Sequence, residues 1–456
     1  MTSPLSPGRK ARARGAGLPT ENIRSVRLVC PAPAAPMPAR GAGRKGEERV
    51  GLGRGGDPDR YEDQKGGNGT MTGRAAPADR AACAERLLRH LRNEGGRIGF
   101  GAWMAFALYD PVCGYYFRPG VKIGRAGDFY TASAVGDAYG AFWARDFARR
   151  FEAWREAGAG GEGFLAIVEL GAGDGRFAAQ VLDRLAAERP EVYGRLRYVA
   201  VEASPWHREG LFLRTKPHRP LLQLVPTPEA LLSGDVLAGA GPVIVFANEF
   251  YDAFPVERLK KAPDGRLFWQ VVREEAGRPV LAWADDVPAE ARAYAERFGG
   301  AFSPEHVFEA PLEGLRLYRR LAEAFPGATF ITVDYGLPFA ELAAPHRREG
   351  TVVGFWRHRL RDDWFERPGE MDLTAQVPVE AYRSEGEAGG LATEALLPQG
   401  EYLVARGILD FLQPAVGTPA ERDPFHPIAR RNRAVRALIL PDGFGQAFFV
   451  LVQRRP

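Results

Sequence analysis

The sequence predicts an α/β protein built around a mostly parallel, Rossmann-like sheet. Short apolar runs recur along the chain, helical patterns lie between them, and a glycine-rich turn directly follows the first run. The predicted strands cover approximately 165–170, 197–202, 243–247 and 330–334, with a weaker one near 222–225. A helix over about 177–188 separates the first two strands, and Pro190 ends it.

The glycine-rich turn contains Gly171, Gly173 and Gly175, with Glu169 two positions before it. Its G-x-G-x-G spacing differs from the dinucleotide-binding G-x-G-x-x-G and lacks the Lys-Ser/Thr pair of a phosphate-binding loop. The acidic residue also argues against a pyrophosphate and favours a ligand with a cationic end. S-adenosylmethionine, which carries a sulfonium and an ammonium group, has this property. The alternative is a βα turn that binds no ligand.

The second predicted strand ends in Glu202. In Rossmann-like sheets, an acid at this position bonds the ribose hydroxyls of a bound nucleotide. The alternative is a surface acid, or a charge at the start of a helix. With Glu169 and the three glycines, Glu202 completes a predicted S-adenosylmethionine site on a class I methyltransferase sheet, and no metal site is predicted.

Charge is unevenly distributed along the chain of 456 residues, whose formal net charge is +4. Residues 1–70 hold 13 Lys and Arg against 7 Asp and Glu, so the remainder is close to neutral. This argues against nucleic acid as a partner. No apolar run reaches the roughly 18 residues of a membrane-spanning helix, so no membrane insertion is expected.

The three cysteines, Cys30, Cys83 and Cys113, are far apart in the sequence. Their spacing matches no paired metal motif, and a disulfide framework is not expected. A reducing compartment fits this cysteine content. The cytoplasm is the expected location, and the mitochondrial matrix is the alternative if the basic N-terminal tail is a transit peptide.

Composition divides the chain into three parts. Residues 1–75 form a basic, Gly-, Pro- and Arg-rich tail that is expected to be disordered and that is not native if translation starts at Met71. Residues 76–160 are expected to form a helical N-terminal lobe, with helices near 79–93, 103–109 and 137–157. Residues 161–456 form the predicted methyltransferase domain, with an insertion at about 255–328. Within it we expect a hairpin over 255–275, helices over 286–325 and a terminal hairpin over 434–453.

Four further segments resemble the MidA-like family of S-adenosylmethionine-dependent methyltransferases. They are 103–111 with 114–116, then 127–131, 247–256 and 334–336. Mitochondrial members of this family are similar to an assembly factor of respiratory complex I that methylates an arginine. The resemblance therefore implies a protein acceptor, with a respiratory-complex subunit as one candidate, and leaves the oligomeric state open.

Asn248, Glu249 and Asp252 are the predicted catalytic residues. The first two lie just past the strand at 243–247, and open α/β sheets bind ligands outside the carboxyl ends of their strands. A carboxylate there can pair with the planar fork of a guanidinium, and Asp252 supplies a second acid. The alternative is that Asn248 caps a helix and Asp252 forms a salt bridge.

The resemblance also implies that the segment 127–131 closes over the cofactor. By this resemblance Asp128, Phe129 and Thr131 are its predicted cofactor contacts. The aromatic face of Phe129 or Tyr130 can attract a cation such as the sulfonium. The alternative for Phe129 is packing inside the lobe. The predicted function is methylation of a protein arginine. A small-molecule methyltransferase, or an assembly protein that keeps the fold with little catalysis, is the alternative.

Overall fold

The computed structural model describes residues 77–119, 132–158, 163–325, 327–357, 359–417, 419 and 422–455. These residues all belong to one compact unit, Gly69–Pro456.

The strands of the described residues are numbered in chain order. They are β1 (Arg97–Gly99), β2 (Phe164–Leu170), β3 (Leu196–Val201), β4 (Leu222–Val225), β5 (Ala240–Asn248), β6 (Glu257–Lys261), β7 (Leu267–Glu275), β8 (Arg278–Ala284), β9 (Val307–Ala310), β10 (Thr329–Leu337), β11 (Val353–Trp356), β12 (Arg359–Arg361), β13 (Asp372–Thr374), β14 (Val377–Pro378), β15 (Ala392–Pro398) and β16 (Phe448–Arg454).

The α-helices are numbered in the same way. They are α1 (Pro77–Asn93), α2 (Phe100–Tyr109), α3 (Asp137–Glu156), α4 (Arg176–Glu188), α5 (Pro190–Tyr193), α6 (Pro205–Arg214), α7 (Pro228–Ser233), α8 (Ala289–Phe298), α9 (Leu312–Ala324), α10 (Phe339–Leu342), α11 (Val379–Ala388), α12 (Gln399–Ala405), α13 (Pro427–Ile439) and α14 (Phe444–Ala447).

The largest sheet of the described chain runs in the order β15-β16-β10-β5-β2-β3-β4. The five strands from β10 to β4 are parallel, whereas β16 is antiparallel to both β10 and β15. Strands β2, β3 and β10 are almost wholly buried, because helices cover both faces of the sheet, whereas in the edge strand β4 only Val225 is buried. From β2 the chain adds β3 and β4 on one side and then crosses to add β5 on the other, which places a topological switch point between β2 and β5.

Two aromatic-rich cores lie on the opposite faces of this sheet. On one face, α3 and α4 bury Phe142, Trp143 and Phe147 against the strands. On the other face, α9 and α11 bury Tyr318 and Tyr382. A third core joins α1 and α2 to β7 and β13 and contains Trp103, Met104, Val272 and Leu373.

A second sheet has the order β1-β7-β6-β9, with β8 paired to β7, and a small third sheet has the order β12-β11-β13. The hairpin expected over 255–275 is confirmed as β6 and β7, which pair antiparallel. The all-helical expectation for 286–325 is wrong in part. The segment 307–310 is the short strand β9, whose four residues are all buried against β6.

The terminal hairpin expected over 434–453 is also wrong. Residues 427–439 form α13, because Ala434, Val435 and Leu438 recur at helical spacing and all face the core. Only the second apolar run is a strand, β16, and its antiparallel partners are β10 and β15. The sheet thus does end in an antiparallel strand, β16. The strands that pair with β16 come from elsewhere in the chain and not from residues 427–439.

The cysteine expectation requires a correction. Cys83 on α1 and Cys113, just after α2, form a disulfide with a Cα–Cα distance of 5.6 Å. Distance in sequence concealed this pairing, because α1 and α2 fold back on each other within the third core and bring residues 30 apart together. Cys30 lies outside the described residues.

Candidate active site at the switch point

The candidate site lies at the carboxyl ends of β2 and β5, on either side of the switch point. The register pairs Leu170 with Val201 of β3 and with Ala247 of β5. The glycine turn, the end of β3 and the loop after β5 therefore meet at one edge of the sheet. This edge is where open α/β sheets bind their ligands.

All three glycines of the turn adopt left-handed backbone conformations, with φ values of +70° at Gly171, +54° at Gly173 and +80° at Gly175. Other residues adopt these angles only with strain. A Cβ on Gly171 would also lie 2.7 Å from Cδ2 of Phe250, and one on Gly175 would lie 2.7 Å from Cα of Leu211. The sequence pattern is therefore required by both the backbone and the packing of the turn.

Glu202 lies directly beside the turn and is buried. One carboxylate oxygen accepts the N–H of Gly173 at 2.7 Å, and the other accepts the N–H of Ser204 at 2.8 Å. Glu202 is thus no surface acid, although it does lie near the start of α6, as the alternative expected. Because each carboxylate oxygen can accept a second hydrogen bond, this group can still bind a hydroxyl.

Glu169 is only 3% exposed and is enclosed by the sheet. Its Oε2 accepts the hydroxyl of Tyr198 at 2.8 Å. Burial raises the pKa of Glu169 to about 8, and the negative charges of Glu202 and Asp174 act in the same direction against the Tyr198 hydrogen bond. This carboxyl group lies close to the glycine turn but its described partner is a protein hydroxyl.

Asn248 and Glu249 end β5 and start the loop that follows it. Asn248 donates from Nδ2 to Oε1 of Glu249 at 3.0 Å, and the hydroxyl of Tyr139 on α3 donates to Oδ1 of Asn248. Ala132, the first described residue after the gap at 120–131, donates its N–H to Oε1 of Glu249 at 3.0 Å. In the described structure no helix begins at Asn248, so Asn248 does not cap a helix.

The carboxyl group of Glu249 is partly buried, and burial raises its pKa to about 8. The negative charges of Asp252 and Asp372 act in the same direction, against hydrogen bonds from Ala132 and Asn248. A partner cation in this place would reverse the shift, since an opposite charge favours the ionised form.

Asp252 and Asp334 are two buried acids that lie close to each other and to Glu249. Asp252 also accepts the hydroxyl of Thr374 at 3.2 Å, and burial raises its pKa to about 6. The pKa of Asp334 is raised well above its usual range by burial and by the charge of Asp252. Among the described residues, neither these two acids nor Glu249 forms a salt bridge, so the salt-bridge alternative for Asp252 is not observed there.

The chain before α3 also reaches this edge of the sheet. Tyr116 donates its hydroxyl to Asp372 at 2.7 Å, and its carbonyl accepts the hydroxyl of Ser204 at 2.7 Å. Tyr109 donates to the carbonyl of Ala253 at 2.9 Å. These contacts escaped sequence reasoning, although both tyrosines lie in the segment that resembles the family.

Three predicted cofactor residues, Asp128, Phe129 and Thr131, lie outside the described residues. In the part of the chain that the structure describes, no three His, Cys, Asp or Glu side chains are grouped to hold a metal ion. The same part has no helix long and apolar enough to cross a bilayer.

The residues present fit a nucleoside with a cationic sulfur. Gly171, Gly173 and Gly175 leave the rim of the turn without Cβ atoms, and Glu202 offers carboxylate oxygens for hydroxyls rather than donors for a phosphate. Fold and site together define a class I methyltransferase of the α/β type. When bound, S-adenosylmethionine supplies a methyl group activated by its sulfonium.

Comparison with known proteins agrees with this class. A family model for S-adenosyl-L-methionine-dependent methyltransferases matches residues 146–396, which is more than half of the chain. The chain therefore belongs to this methyltransferase family and uses S-adenosylmethionine. The resemblance to MidA-like methyltransferases is confirmed.

Two curated relatives are similar over most of the chain. The mitochondrial protein arginine methyltransferase NDUFAF7 of Homo sapiens is 26% identical over 345 residues, covering 71% of this chain and 73% of its own length. Its Drosophila melanogaster homolog is 27% identical over 332 residues, covering 65% of this chain and 68% of its own length.

One of the solved structures that are similar to this chain contains a bound ligand. A protein from Burkholderia thailandensis, crystallised bound to S-adenosyl-homocysteine, is 26% identical with a TM-score of 0.70. The match covers 84% of this chain and 95% of that one. A native crystal structure of a superfamily protein from the same organism matches with a TM-score of 0.67 and 26% identity.

Proposed function

We propose that this methyltransferase acts on the side chain of an arginine in a protein. The observation that carries the proposal is the group of three acids, Glu249, Asp252 and Asp334, at the carboxyl ends of β5 and β10. Within the described residues these acids have no basic partner, and the pKa of each is raised by burial. A cationic acceptor would supply the missing charge.

Glu249 is the residue proposed to hold the guanidinium. Of the three acids it alone keeps appreciable exposure, and its Oε1 is already fixed by the N–H of Ala132 and the amide of Asn248. A carboxylate so fixed can accept two N–H bonds from the planar guanidinium and aim one nitrogen. Alignment and exclusion of water then carry much of the rate enhancement.

The cofactor is proposed to lie against Gly171, Gly173 and Gly175, with its ribose on Glu202. Glu169, whose pKa is raised to about 8 by burial, is proposed to ionise when the cationic cofactor binds beside the turn. Asp128, Phe129 and Thr131 stay proposed cofactor contacts on the strength of the family resemblance, and Ala132, next to them in sequence, bonds to Glu249.

The compartment and partner form a further part of the proposal. The curated relatives are named as mitochondrial proteins, which favours the mitochondrial matrix over the cytoplasm if residues 1–75 act as a transit peptide. A respiratory-complex subunit is then a candidate acceptor. Imaging the full chain and a chain that starts at Met71, each fused to a fluorescent protein, separates the two locations.

The test of the acceptor is transfer of an isotopically labelled methyl group to proteins of a cell extract. Peptide fragmentation by mass spectrometry is expected to place the label on a guanidino nitrogen of arginine. Glu249→Gln is expected to reduce transfer about 100-fold while leaving the affinity for S-adenosyl-homocysteine within about threefold, because the variant loses acceptor alignment only.

Three outcomes would contradict this proposal. Label on another residue type would exclude arginine as the acceptor, and label only on small molecules would favour the small-molecule alternative. Tight binding of S-adenosyl-homocysteine with no transfer to any fraction would favour an assembly protein that retains the fold.

A further inference from the structure

The loop after β5 has an unusual backbone at the residue proposed to hold the acceptor. Glu249 has a φ of +51°, which places a long, charged side chain in the left-handed region. Residues other than glycine occupy this region with strain and persist there only where the surroundings hold them. The structure must therefore contain groups that hold Glu249 in this conformation.

Asp334 on β10 accepts two hydrogen bonds from the backbone that directly follows Glu249. Its Oδ2 accepts the N–H of Phe250 at 3.1 Å and the N–H of Tyr251 at 2.7 Å. Two successive N–H groups that converge after a left-handed residue form an anion-binding concavity. In this protein a side chain fills the concavity, because Asp334 is fully buried directly beneath it.

The same strand binds the loop at one further point. The N–H of Glu249 donates to the carbonyl of Val333 at 2.9 Å, which continues the β5–β10 pairing by one residue. The second oxygen of Asp334 accepts the N–H of Tyr335 at 2.9 Å, so the carboxyl group is itself held in place. Asp334 thus links the end of β10 to two backbone positions of the loop, the N–H groups of Phe250 and Tyr251.

The direction of the Glu249 side chain depends on this arrangement. With φ in the left-handed region, its carboxyl group reaches Ala132 and Asn248. A return of Glu249 to an ordinary negative φ would rotate the Cα–Cβ bond and withdraw the carboxyl group from both donors. A displacement of about 1 Å at a reacting group can cost on the order of 100-fold in rate.

We propose that Asp334 is a positioning residue, which fills the concavity formed by the N–H groups of Phe250 and Tyr251 and so aims Glu249 at the acceptor. This inference rests on the proposed function of Glu249. It gives this buried acid a task, since no other described side chain accepts these two N–H groups. Asp334 lies beside Asp252, whose negative charge helps to raise the pKa of Asp334.

The test is a double-mutant cycle between Asp334→Ala and Glu249→Gln. Methyl transfer from labelled S-adenosylmethionine to extract proteins is measured for the wild type, both single variants and the double variant. If Asp334 acts through Glu249, Asp334→Ala lowers transfer about tenfold or more, and the double variant is no slower than Glu249→Gln within about threefold. Multiplication of the two single effects in the double variant would overturn the inference.

Asp334→Asn provides the conservative variant and keeps an oxygen that can accept both N–H groups. Transfer within about threefold of the wild type is expected, with unchanged slow hydrogen exchange at the amides of Phe250 and Tyr251. Loss of transfer in Asp334→Asn with normal cofactor affinity would overturn the inference, because the charge rather than the acceptor oxygen would then matter. This variant decides the question even if Asp334→Ala does not fold.

Glu309→Gln is the matched control. Glu309 is another buried acid that accepts a backbone N–H, that of Thr351 at 2.9 Å, and it lies in β9 outside the acid group. Its effect on transfer is expected to multiply with that of Glu249→Gln. If Glu249→Gln alone leaves transfer unchanged, the proposed function fails at Glu249; if it reduces transfer but shows no coupling to Asp334, only the present inference fails.

Discussion

At the scale of single residues, Glu249 combines two properties that rarely occur together. Its backbone is held in a left-handed conformation, and its carboxyl group has a pKa raised to about 8 by burial. A group with these properties is poorly hydrated and has no cationic partner among the described residues. Both features are expected of a side chain whose partner arrives with the substrate.

The raised pKa predicts how methyl transfer depends on pH. Below pH 8 most free protein carries a protonated Glu249, whereas a guanidinium stays protonated at every accessible pH. The kcat/KM for the acceptor should therefore rise about tenfold per pH unit up to roughly pH 8 and level off above it. Asp252, with a pKa raised to about 6, is mostly ionised over the upper part of this range.

The measurement is the initial rate of label transfer at limiting acceptor between pH 6 and 9. Glu249→Gln serves as the control and should show no rise in this interval. A wild-type profile that is flat, or that falls with pH, would contradict the assignment of Glu249.

Sequence reasoning found the site residues that carry a local signature and missed those that depend on folding. Gly171, Gly173 and Gly175 follow a strand at once, and Glu202 ends the next strand, so their neighbourhood could be predicted. Asp334 ends a predicted strand and lies in the family-resembling segment 334–336, but its contacts could not be predicted, because its partners lie 83 and 84 residues away. The hydroxyl of Tyr139 contacts Asn248, which is 109 residues away in the sequence, and no local sequence pattern predicts that contact.

At the scale of elements, the glycine turn should be intolerant of a single methyl group. Gly171→Ala is strained by a φ of +70° and places Cβ 2.7 Å from Phe250, so we expect a loss of about tenfold or more in affinity for S-adenosyl-homocysteine. Isothermal titration measures this directly.

Gly239→Ala is the matched control for this prediction. Gly239 has a similar φ of +75°, but no atom lies within 4 Å of the position that its Cβ would take. Both variants should lose roughly 1–2 kcal/mol of stability through the backbone, yet only Gly171→Ala should bind the ligand more weakly. Equal affinities in the two variants would show that the turn does not contact the cofactor.

Elements with a clear pattern were predicted well, and short or ambiguous ones were not. Strands β2, β3, β5 and β10 are continuous apolar runs, which is typical of parallel strands buried on both faces. The run before Pro441 reads equally well as a strand or a helix, and packing of α13 on the core decides for the helix. Strand β9 has only four residues between two helices, too few for a periodic signal.

The disulfide gives a prediction for the segment that holds α1 and α2. Because it closes a loop of 30 residues, replacing both partners in Cys83→Ser/Cys113→Ser should lower the free energy of unfolding by about 2–4 kcal/mol. Urea unfolding with and without a thiol reductant measures the effect. The double variant should be insensitive to the reductant, and a wild type equally insensitive would contradict the presence of the bond.

At the scale of the whole molecule, the parallel sheet brings distant parts of the chain to one edge. The order β4-β3-β2-β5-β10 opens a crevice between the turn after β2 and the loop after β5. Residues from the chain before α3 reach the same edge through Tyr109 and Tyr116. The division into a lobe at 76–160 and a domain at 161–456 with an insertion at about 255–328 stays a prediction.

The proposed positions of cofactor and acceptor in this crevice predict distances that a single structure can test. In a crystal of the full chain with S-adenosyl-homocysteine, the ribose hydroxyls should lie within hydrogen-bond distance of Glu202. The sulfur should face the Glu249 carboxyl group across a gap that admits one planar guanidinium. A ligand bound elsewhere, or a sulfur turned away from Glu249 towards the interior of the glycine turn, would contradict the account.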